Sequence, residues 1–331
     1  MSHPNLPAYV RGSIAPTFTA FHDDGRFDPD GQRRLLDFML QRGGVNAFFV
    51  RSGMGQMYTF GMDDTKELVD VACAHLAGKA PCLVGTSGIW DRNYDKRPDA
   101  EQYTREAIEL SQYALDKGAA GVVLTIPEGL LPAAGETEAD VTQRYFERVA
   151  AAINGPIFIY QPPGTDPKYH MTEQSIARLA DIDNVIGAKA SYGDGYYVYR
   201  LIRATTGKRF AYIIGFEMIF AMGLYAGARA CIGQGTTLNP RIVNAVQDRF
   251  DAGDRAGCLA AQDAVNVLVE GCSNPQDFYK RYATESGFTV GRHHRVMHSN
   301  PYATSPQLLT DAQYAAAKHL LEETEARVLG G

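Results

Sequence analysis

The chain has 331 residues, of which 45% are hydrophobic and 21% charged, with 33 glycines and 16 prolines. This composition excludes a disordered chain, a collagen-like repeat and a small protein held together by disulfides. The formal net charge is -6, from 32 basic and 38 acidic residues, and neither sign forms a long block. A nucleic-acid partner is therefore not expected.

The five cysteines lie far apart and form no C-x-x-C pair, as expected of reduced thiols. The segment 1–10 lacks the basic region and apolar stretch of a secretion signal. No later segment approaches the roughly 18 uncharged apolar residues that a membrane-spanning helix needs. These features predict a cytoplasmic protein without a membrane partner.

Short runs rich in apolar and β-branched residues recur along the chain, beginning near the N-terminus. Most are continuous, as in the Gly-Val-Val-Leu-Thr-Ile segment at 121–126, and this is typical of parallel strands covered on both faces. The predicted strands are residues 13–19, 45–50, 81–86, 120–126, 156–160, 185–190, 210–215 and 228–233.

Amphipathic stretches separate these strands, and each is long enough for a crossover helix. Helix boundary signals agree with them: Asp28-Pro29 precedes the first, Thr172 with Ser175 opens another, and Gly118 follows the end of the third. The stretches include residues 30–41, 64–76, 101–117, 138–153 and 172–179.

A strand followed by a helix, repeated eight times, predicts an α/β fold of the (β/α)8, or TIM-barrel, type. A doubly wound sheet competes with it, but no G-x-G-x-x-G follows the first strand. Further helical stretches follow the last strand, so we divide the chain into a barrel core, 1–238, and the last barrel helix with a C-terminal helical extension, 239–331, within one structural unit. Such extra helices often form subunit interfaces, which predicts a homo-oligomer. These stretches are residues 240–252, 255–270, 274–286 and 310–328.

Lys189 is the most informative residue, because active sites of such barrels lie at the carboxyl ends of the strands. It is the only charged residue in the strand Val-Ile-Gly-Ala-Lys-Ala. An apolar setting favours the neutral amine, which attacks carbonyl carbons and forms a Schiff base. Tyr160 ends the preceding strand and, in a closed barrel, can reach the Lys189 amine and relay protons. The structural alternatives are a carboxylate partner for Lys189 and core packing for Tyr160.

These residues resemble the dihydrodipicolinate synthase and N-acetylneuraminate lyase family of class I, Schiff-base aldolases. The resemblance covers roughly residues 12–291. The segment 160–164, Tyr-Gln-Pro-Pro-Gly, resembles the tyrosine motif of the family, and Gly-Ala-Lys at 187–189 resembles its lysine motif. Gly-Phe-Glu at 215–217 and Ile-Gly at 232–233 resemble the lyase branch.

The resemblance implies a TIM barrel with C-terminal helices, often tetrameric, whose lysine forms an imine with pyruvate or another 2-oxo acid. It implies that Lys189 is the nucleophile and Tyr160 the proton shuttle, with a covalent imine and neither cofactor nor metal. A protonated imine makes the neighbouring carbon acidic, so a C–C bond can be cleaved or formed, or a β-hydroxyl expelled. The predicted substrate-binding residues are Arg51, Ser52, Gly53, Met54, Ser191, Gly215, Glu217, Ile232 and Gln234.

The loop after strand two departs from the family pattern. The carboxylate-binding loop of the family typically reads Gly-Thr-Thr-Gly-Glu, and residues 52–56 here read Ser-Gly-Met-Gly-Gln, without either threonine. Backbone N–H groups of Gly53 and Met54 can still bind a carboxylate, and the Arg51 guanidinium can bind one by its bidentate fork. The synthase branch has an arginine where this chain has Thr165, so dihydrodipicolinate synthesis is not expected.

The loop after strand four also departs, because Pro-Glu-Gly at 127–129 replaces the common Pro-Tyr-Tyr. Glu128 is then either an acid or base in place of a lost tyrosine or a solvated loop carboxylate. Trp90, in a long loop after strand three, either covers the pocket or packs against its neighbours. His293, His294 and His298 lack a carboxylate at ligand spacing, so no metal site is expected.

The predicted function is a Schiff-base-forming lyase that cleaves or forms a C–C bond of a 2-oxo acid. The alternatives are a dehydratase of a hydroxylated 2-oxo acid and a non-catalytic 2-oxo-acid-binding or regulatory protein on the same scaffold. The expected partners are a small-molecule 2-oxo acid and further copies of the chain, in a dimer or tetramer.

Overall fold

Eight parallel strands form a closed barrel in the computed structural model, which describes residues 6–295 and 308–330. Each strand pairs with the next along the chain, and the eighth pairs with the first. This confirms the predicted TIM barrel, and every predicted strand overlaps an observed one. The strands are β1 (Gly12–Pro16), β2 (Ala47–Val50), β3 (Cys82–Gly85), β4 (Gly121–Thr125), β5 (Ile157–Gln161), β6 (Val185–Ala190), β7 (Ala211–Ile214) and β8 (Ala230–Cys231).

Helices alternate with the strands, and additional helices follow the barrel. The α-helices that come next after each strand are α1 (Pro29–Arg42), α2 (Met62–Leu76), α3 (Ala100–Asp116), α4 (Glu138–Ala152), α5 (Glu173–Leu179), α6 (Gly195–Ala204), α7 (Phe220–Ala226) and the short α8 (Gln234–Leu238). The later helices are α9 (Pro240–Asp251), α10 (Arg255–Gly271), α11 (Pro275–Glu285) and α12 (Asp311–Leu329).

The predicted helix boundaries are confirmed by their local hydrogen bonds. The Asp28 carboxylate accepts a backbone N–H in the first turn of α1, and Pro29 occupies the first helical position. Thr172 and Ser175 form a capping box at the start of α5. Gly118 follows α3 with a φ of 91°, a left-handed conformation that glycine adopts at low cost.

Two layers of apolar side chains hold the barrel together. Alternate residues of each strand point inward and fill the interior, while the others pack against the surrounding helices. The outer cluster also contains Val243, Cys258, Phe278 and Leu321, so α9 to α12 share the core of the barrel. The interior cluster includes Ile14, Phe49, Leu83, Val123, Phe158, Tyr160, Ile186, Ile213 and Ile232.

The cysteines are part of this packing. Cys73, Cys82, Cys231, Cys258 and Cys272 are all buried free thiols, as the sequence predicts. In the parts of the chain that the structure describes, no helix combines the length and the apolar character that crossing a membrane requires.

Candidate active site

Lys189 and Tyr160 are neighbours on adjacent strands near the carboxyl end of the barrel. Their Cα atoms pair in the β5–β6 ladder, so both side chains point to the same face of the sheet. The Lys189 Nζ lies 4.1 Å from the centre of the Tyr160 ring. Only 5% of Lys189 and 1% of Tyr160 are exposed. The pair therefore places a largely desolvated amine directly on an aromatic face.

Two glycines make room for this lysine and for a nearby carboxylate. A Cβ on Gly215 would lie 2.4 Å from the Ala190 carbonyl oxygen and 2.8 Å from the Lys189 Cε. A Cβ on Gly233 would lie 2.0 Å from the Glu217 Oε2. All three distances are shorter than real contacts of a Cβ atom. Position 215 therefore requires glycine, because one clash is with the backbone, whereas a Cβ at position 233 would force the Glu217 carboxylate to move.

Glu217 is a buried carboxylate close to the lysine. Its Oε1 accepts the Gly235 N–H at 2.9 Å at the start of α8, and its backbone carbonyl accepts the Gln262 amide at 2.9 Å. Burial raises the pKa of Glu217, while backbone N–H donors and the Lys189 charge partly oppose that rise. The site therefore holds a buried amine and a buried carboxyl group with a tendency to keep its proton.

A cavity of about 860 Å³ opens at this end of the barrel. Its walls include Lys189, Tyr160 and several residues that the sequence predicts for substrate binding. The walls also include residues from the C-terminal extension that were not predicted from the sequence, because they lie far from the barrel strands along the chain. The nominated lining residues are Tyr160, Lys189, Gly53, Met54, Ser191, Gly215, Glu217 and Gln234; the missed ones include Asn274, Gln276, Leu309 and Gln313.

Three nominated residues do not line this cavity. The Ser52 hydroxyl accepts the Gly55 N–H at 3.0 Å and donates to the Thr17 carbonyl at 3.2 Å, so it shapes the loop. Ile232 lies in the apolar interior of the barrel. Ser52 therefore stabilises the loop, and Ile232 packs in the barrel interior.

The third is Arg51, which is directed toward β3. Its Nη1 donates to the carbonyl oxygens of Gly85 at 3.2 Å and Ser87 at 2.9 Å. Burial lowers the pKa of Arg51 to about 10. The backbone of Arg51 has a φ of 47°, which turns the following loop toward the cavity. Arg51 thus joins the loop to the end of β3 through these hydrogen bonds. Its role in substrate binding stays a prediction.

Hydroxyl groups next to Tyr160 come from β4 and the β3 loop. Thr125 is the Cα partner of Tyr160 in the β4–β5 ladder. Its Oγ1 lies 3.0 Å from the Ser87 Oγ. One feature of the sequence pointed to Thr125: it is a polar residue near the end of an otherwise apolar strand. The predicted end of that strand was not exact enough to show that Thr125 is its last inward-facing residue.

Glu128 is not a solvated loop carboxylate, because it is buried in an ion pair, and its interpretation as an acid or base stays a prediction. It lies 2.8 Å from Arg92 Nη2, and 4% and 3% of the two side chains are exposed. The Tyr94 hydroxyl donates to Glu128 at 2.8 Å, and the Asp166 N–H donates to it at 2.9 Å.

Trp90 packs edge-on against Tyr94, with ring centres 5.2 Å apart. This contact agrees with the packing interpretation of Trp90.

The three histidines between α11 and α12 in the sequence have different positions. His293 is exposed, His294 lines the cavity, and His298 lies outside the described residues. Within residues 6–295 and 308–330, no group of three or more histidine, cysteine or acidic side chains could hold a metal ion.

Known proteins share both the sequence pattern and the fold. The profile of the Dihydrodipicolinate synthetase family matches residues 9–279. A 4-hydroxy-tetrahydrodipicolinate synthase of Dechloromonas aromatica is 28% identical over 247 residues, 75% of this chain and 77% of that protein. YagE of Escherichia coli K12, named as a candidate 2-dehydro-3-deoxy-D-gluconate aldolase, is 28% identical over 238 residues, 71% and 72% of the two chains.

Solved structures show the same barrel. The structure of YagE in complex with pyruvate aligns with a TM-score of 0.76 at 24% identity, covering 95% of this chain and 98% of that one. N-acetylneuraminate lyase of Mycoplasma synoviae aligns with a TM-score of 0.76 at 19% identity, covering 96% and 99%. Since the profile matches well over half of the sequence, the chain belongs to the dihydrodipicolinate synthetase family of class I aldolases and lyases.

Proposed function

We propose that this protein is a Schiff-base lyase that cleaves or forms a C–C bond next to the carbonyl group of a 2-oxo acid. The observation that carries the proposal is the Lys189 amine, buried in the barrel and 4.1 Å from the centre of the Tyr160 ring. The cavity provides space for a substrate larger than pyruvate, and Glu217 supplies a carboxylate beside the amine.

The first half of the reaction is imine formation. The neutral Lys189 amine attacks the C2 carbonyl carbon, forming a C–N bond; the nitrogen then loses a proton and the carbonyl oxygen takes one up, which gives a neutral carbinolamine. Loss of that hydroxyl group as water, with a further proton, leaves the protonated imine. Tyr160 is the group proposed to pass these protons, because its phenol lies on the strand next to Lys189.

The second half breaks the C–C bond. Removal of the proton from the C4 hydroxyl group forms the aldehyde C=O bond, the C3–C4 bond breaks, and its electron pair is taken up by the imine as an enamine. Protonation at C3 and addition of water to the imine then release pyruvate and restore the Lys189 amine. Tyr160 or Glu217 provides the base for the first of these steps, since both line the cavity with Lys189.

The substrate is proposed to differ from that of 4-hydroxy-tetrahydrodipicolinate synthase. Thr165 stands where the synthase branch has an arginine, and its hydroxyl donates to the Pro162 carbonyl at 2.8 Å. Thr165 is buried and has no charge, so this position cannot provide the positive charge of an arginine to a substrate. Arg92, which donates to the Gly164 carbonyl nearby, is already paired with Glu128.

The proposal includes a cytoplasmic location and assembly into a dimer or tetramer. The buried free cysteines support a reducing compartment. Exposed aromatic rings of Tyr196, Tyr199 and Tyr225 on the neighbouring helices α6 and α7 support a contact between subunits. Light scattering measured together with size-exclusion chromatography tests the assembly.

Borohydride trapping tests the chemistry. The protein is incubated with pyruvate and sodium borohydride, weighed intact, and digested to map the modified residue. A stoichiometric reduced adduct on Lys189 is expected, and it should be absent from Lys189→Ala. Lys280→Met is the matched control, because Lys280 is also fully buried but lies in α11. An adduct elsewhere, or none, would contradict the proposal and favour the binding-protein alternative.

A coupled assay separates aldol cleavage from dehydration. Aldol cleavage of a 4-hydroxy-2-oxo acid releases pyruvate, which lactate dehydrogenase detects through NADH oxidation. Dehydration removes water and keeps the carbon chain intact. Turnover that leaves the lactate dehydrogenase signal unchanged would assign the chain to the dehydratase alternative.

A further inference from the structure

Part of the cavity wall is built by the segment that follows α11. His294 lines the cavity between Arg292 and Arg295, whereas its neighbour His293 is exposed to solvent. Gln276, which also lines the cavity, belongs to the first turn of α11. The C-terminal extension therefore contributes an imidazole and a carboxamide to the site that contains Lys189.

The chain before His294 is held by a buried carboxylate. Arg292 donates to Asp277 through Nε at 2.5 Å and Nη2 at 2.7 Å. Asp277 also accepts the Leu309 N–H at 2.8 Å. The fully buried Lys280 donates to the His293 carbonyl at 2.7 Å. These contacts fix the backbone on the N-terminal side of His294.

The chain after His294 is held by the barrel itself. Arg295 donates to Asp64 at 2.6 Å, to the Thr59 carbonyl at 2.9 Å and to the Gly25 carbonyl at 2.7 Å. Its backbone N–H donates to the Gln56 side chain at 3.2 Å, and the Gln56 amide donates back to the Arg295 carbonyl. Gln56 is the last residue of the loop 52–56, which places Gly53 and Met54 in the cavity. The imidazole is therefore positioned relative to the proposed carboxylate-binding loop.

This wall combines uncharged polar groups with the Asp277 carboxylate, which also lines the cavity but is paired with Arg292. Burial lowers the pKa of His294, and the Lys280 charge adds to this, against weaker opposing effects of the Arg292 backbone and Asp277. A neutral imidazole has one donor and one acceptor nitrogen. The Gln276 Nε2 is buried and has no hydrogen-bond partner among the described residues. A buried donor without a partner costs free energy unless a ligand or water binds it.

We propose that His294, together with Gln276, binds the hydroxylated part of the substrate that leaves as an aldehyde, and so determines substrate specificity. This inference rests on the proposed function. Hydroxyl groups both donate and accept hydrogen bonds, and they match a neutral imidazole and a carboxamide better than an alkyl chain or a carboxylate does. The pyruvate part, bound at Lys189, needs no contact with His294.

The test compares two aldehydes of equal chain length as partners for pyruvate. Glyceraldehyde carries two hydroxyl groups that propanal lacks, and condensation is followed by chromatography of the products. The unmodified enzyme is expected to have at least a tenfold higher kcat/KM for glyceraldehyde. His294→Ala should raise the KM for glyceraldehyde about tenfold, and leave propanal and the borohydride trapping of pyruvate unchanged.

Two further variants keep the test decisive. His293→Ala is the matched control, because it removes an adjacent but exposed imidazole, and it should behave like the unmodified enzyme. His294→Gln retains a donor and an acceptor and should recover most of the loss, which also guards against misfolding of the alanine variant. Equal kinetics of His294→Ala and the unmodified enzyme with glyceraldehyde, or a preference for propanal, would overturn the inference.

The failure of this inference is distinguishable from failure of the proposed function. An enzyme that traps pyruvate on Lys189 and condenses the aldehydes, but does not discriminate them through His294, keeps the proposed function and refutes the role of His294. Trapping without condensation of either aldehyde would contradict the proposed C–C bond chemistry itself, and the inference with it. Absence of trapping in the unmodified protein would instead refute the proposed function.

Discussion

The Lys189 amine lies on the face of the Tyr160 ring, 4.1 Å from its centre, because the two residues are partners in the β5–β6 ladder. The negative face of the ring stabilises the positive charge of a protonated amine or imine. The same register brings Thr125 of β4 beside Tyr160. Three neighbouring strands thus place an amine, a phenol and a hydroxyl group side by side.

Gly215→Ala should impair imine formation. The new Cβ would lie 2.4 Å from the Ala190 carbonyl and 2.8 Å from the Lys189 Cε, so the lysine must move. A displacement of about 1 Å can reduce a rate about a hundredfold, and we expect a decrease of that order in the rate of borohydride trapping. Gly195→Ala is the control, because its Cβ meets only Met222 at 3.5 Å. Equal trapping rates in both variants would show that the glycine is not required.

Glu217→Gln tests the buried carboxylate. If it acts as an acid or base, kcat should fall by at least about a hundredfold, while pyruvate is still trapped on Lys189. Burial raises the pKa of Glu217, so the stabilising contribution of its protonated form is complete below the ordinary pKa and is lost as pH rises through the folded-state value.

The difference in unfolding free energy between the unmodified protein and Glu217→Gln should therefore shift in favour of the variant as pH rises from acidic to neutral. Urea unfolding across that range measures the shift. A pH-independent difference would indicate that the carboxylate titrates normally, and an unchanged kcat would exclude it from the chemistry.

Glu128→Ala should reduce stability strongly. It would leave Arg92 buried without its carboxylate and remove the acceptor for the Tyr94 hydroxyl and the Asp166 N–H. Breaking a buried pair from one side costs about 3 to 5 kcal/mol, measurable by urea denaturation. Glu101→Ala, which breaks the exposed pair with Arg148, should change stability little. A comparably small change for both variants would contradict the structural role of Glu128.

Lys280→Met should alter how stability depends on pH. Burial lowers the pKa of Lys280 to about 7, against opposing effects of Asp277 and Asp28. Between that value and the ordinary pKa of 10.5, the unfolded chain holds a proton that the folded protein lacks, so this lysine makes stability rise with pH.

The size of this effect is about 1.4 kcal/mol per pH unit. From about pH 7 to about pH 9, the unmodified protein should therefore gain about 2 to 3 kcal/mol relative to Lys280→Met, as measured by urea unfolding. The exposed Lys168→Met is the control and should follow the unmodified protein. A constant difference between Lys280→Met and the unmodified protein would show that the amine stays charged.

The barrel and the proximity of Lys189 to Tyr160 were predictable from the sequence, because both depend on local patterns. Continuous apolar runs mark strands covered on both faces, and the alternation with amphipathic helices leaves few topologies. A lone lysine in such a strand is costly to bury, and Tyr160 ends the strand before it. The order of the strands around the barrel then makes these two residues neighbours.

The surroundings of that pair were decided only by tertiary structure. Arg51 and Ser52 follow β2 directly, at a predicted site position, but a left-handed backbone at Arg51 and contacts with backbone carbonyls just after β1 and β3 turn both side chains away from the cavity. Glu128 pairs with Arg92, and His294 reaches the cavity because Arg295 and Gln56 join the C-terminal segment to the barrel. Side-chain directions in loops depend on contacts between residues far apart along the chain, and no periodicity in the sequence records those contacts.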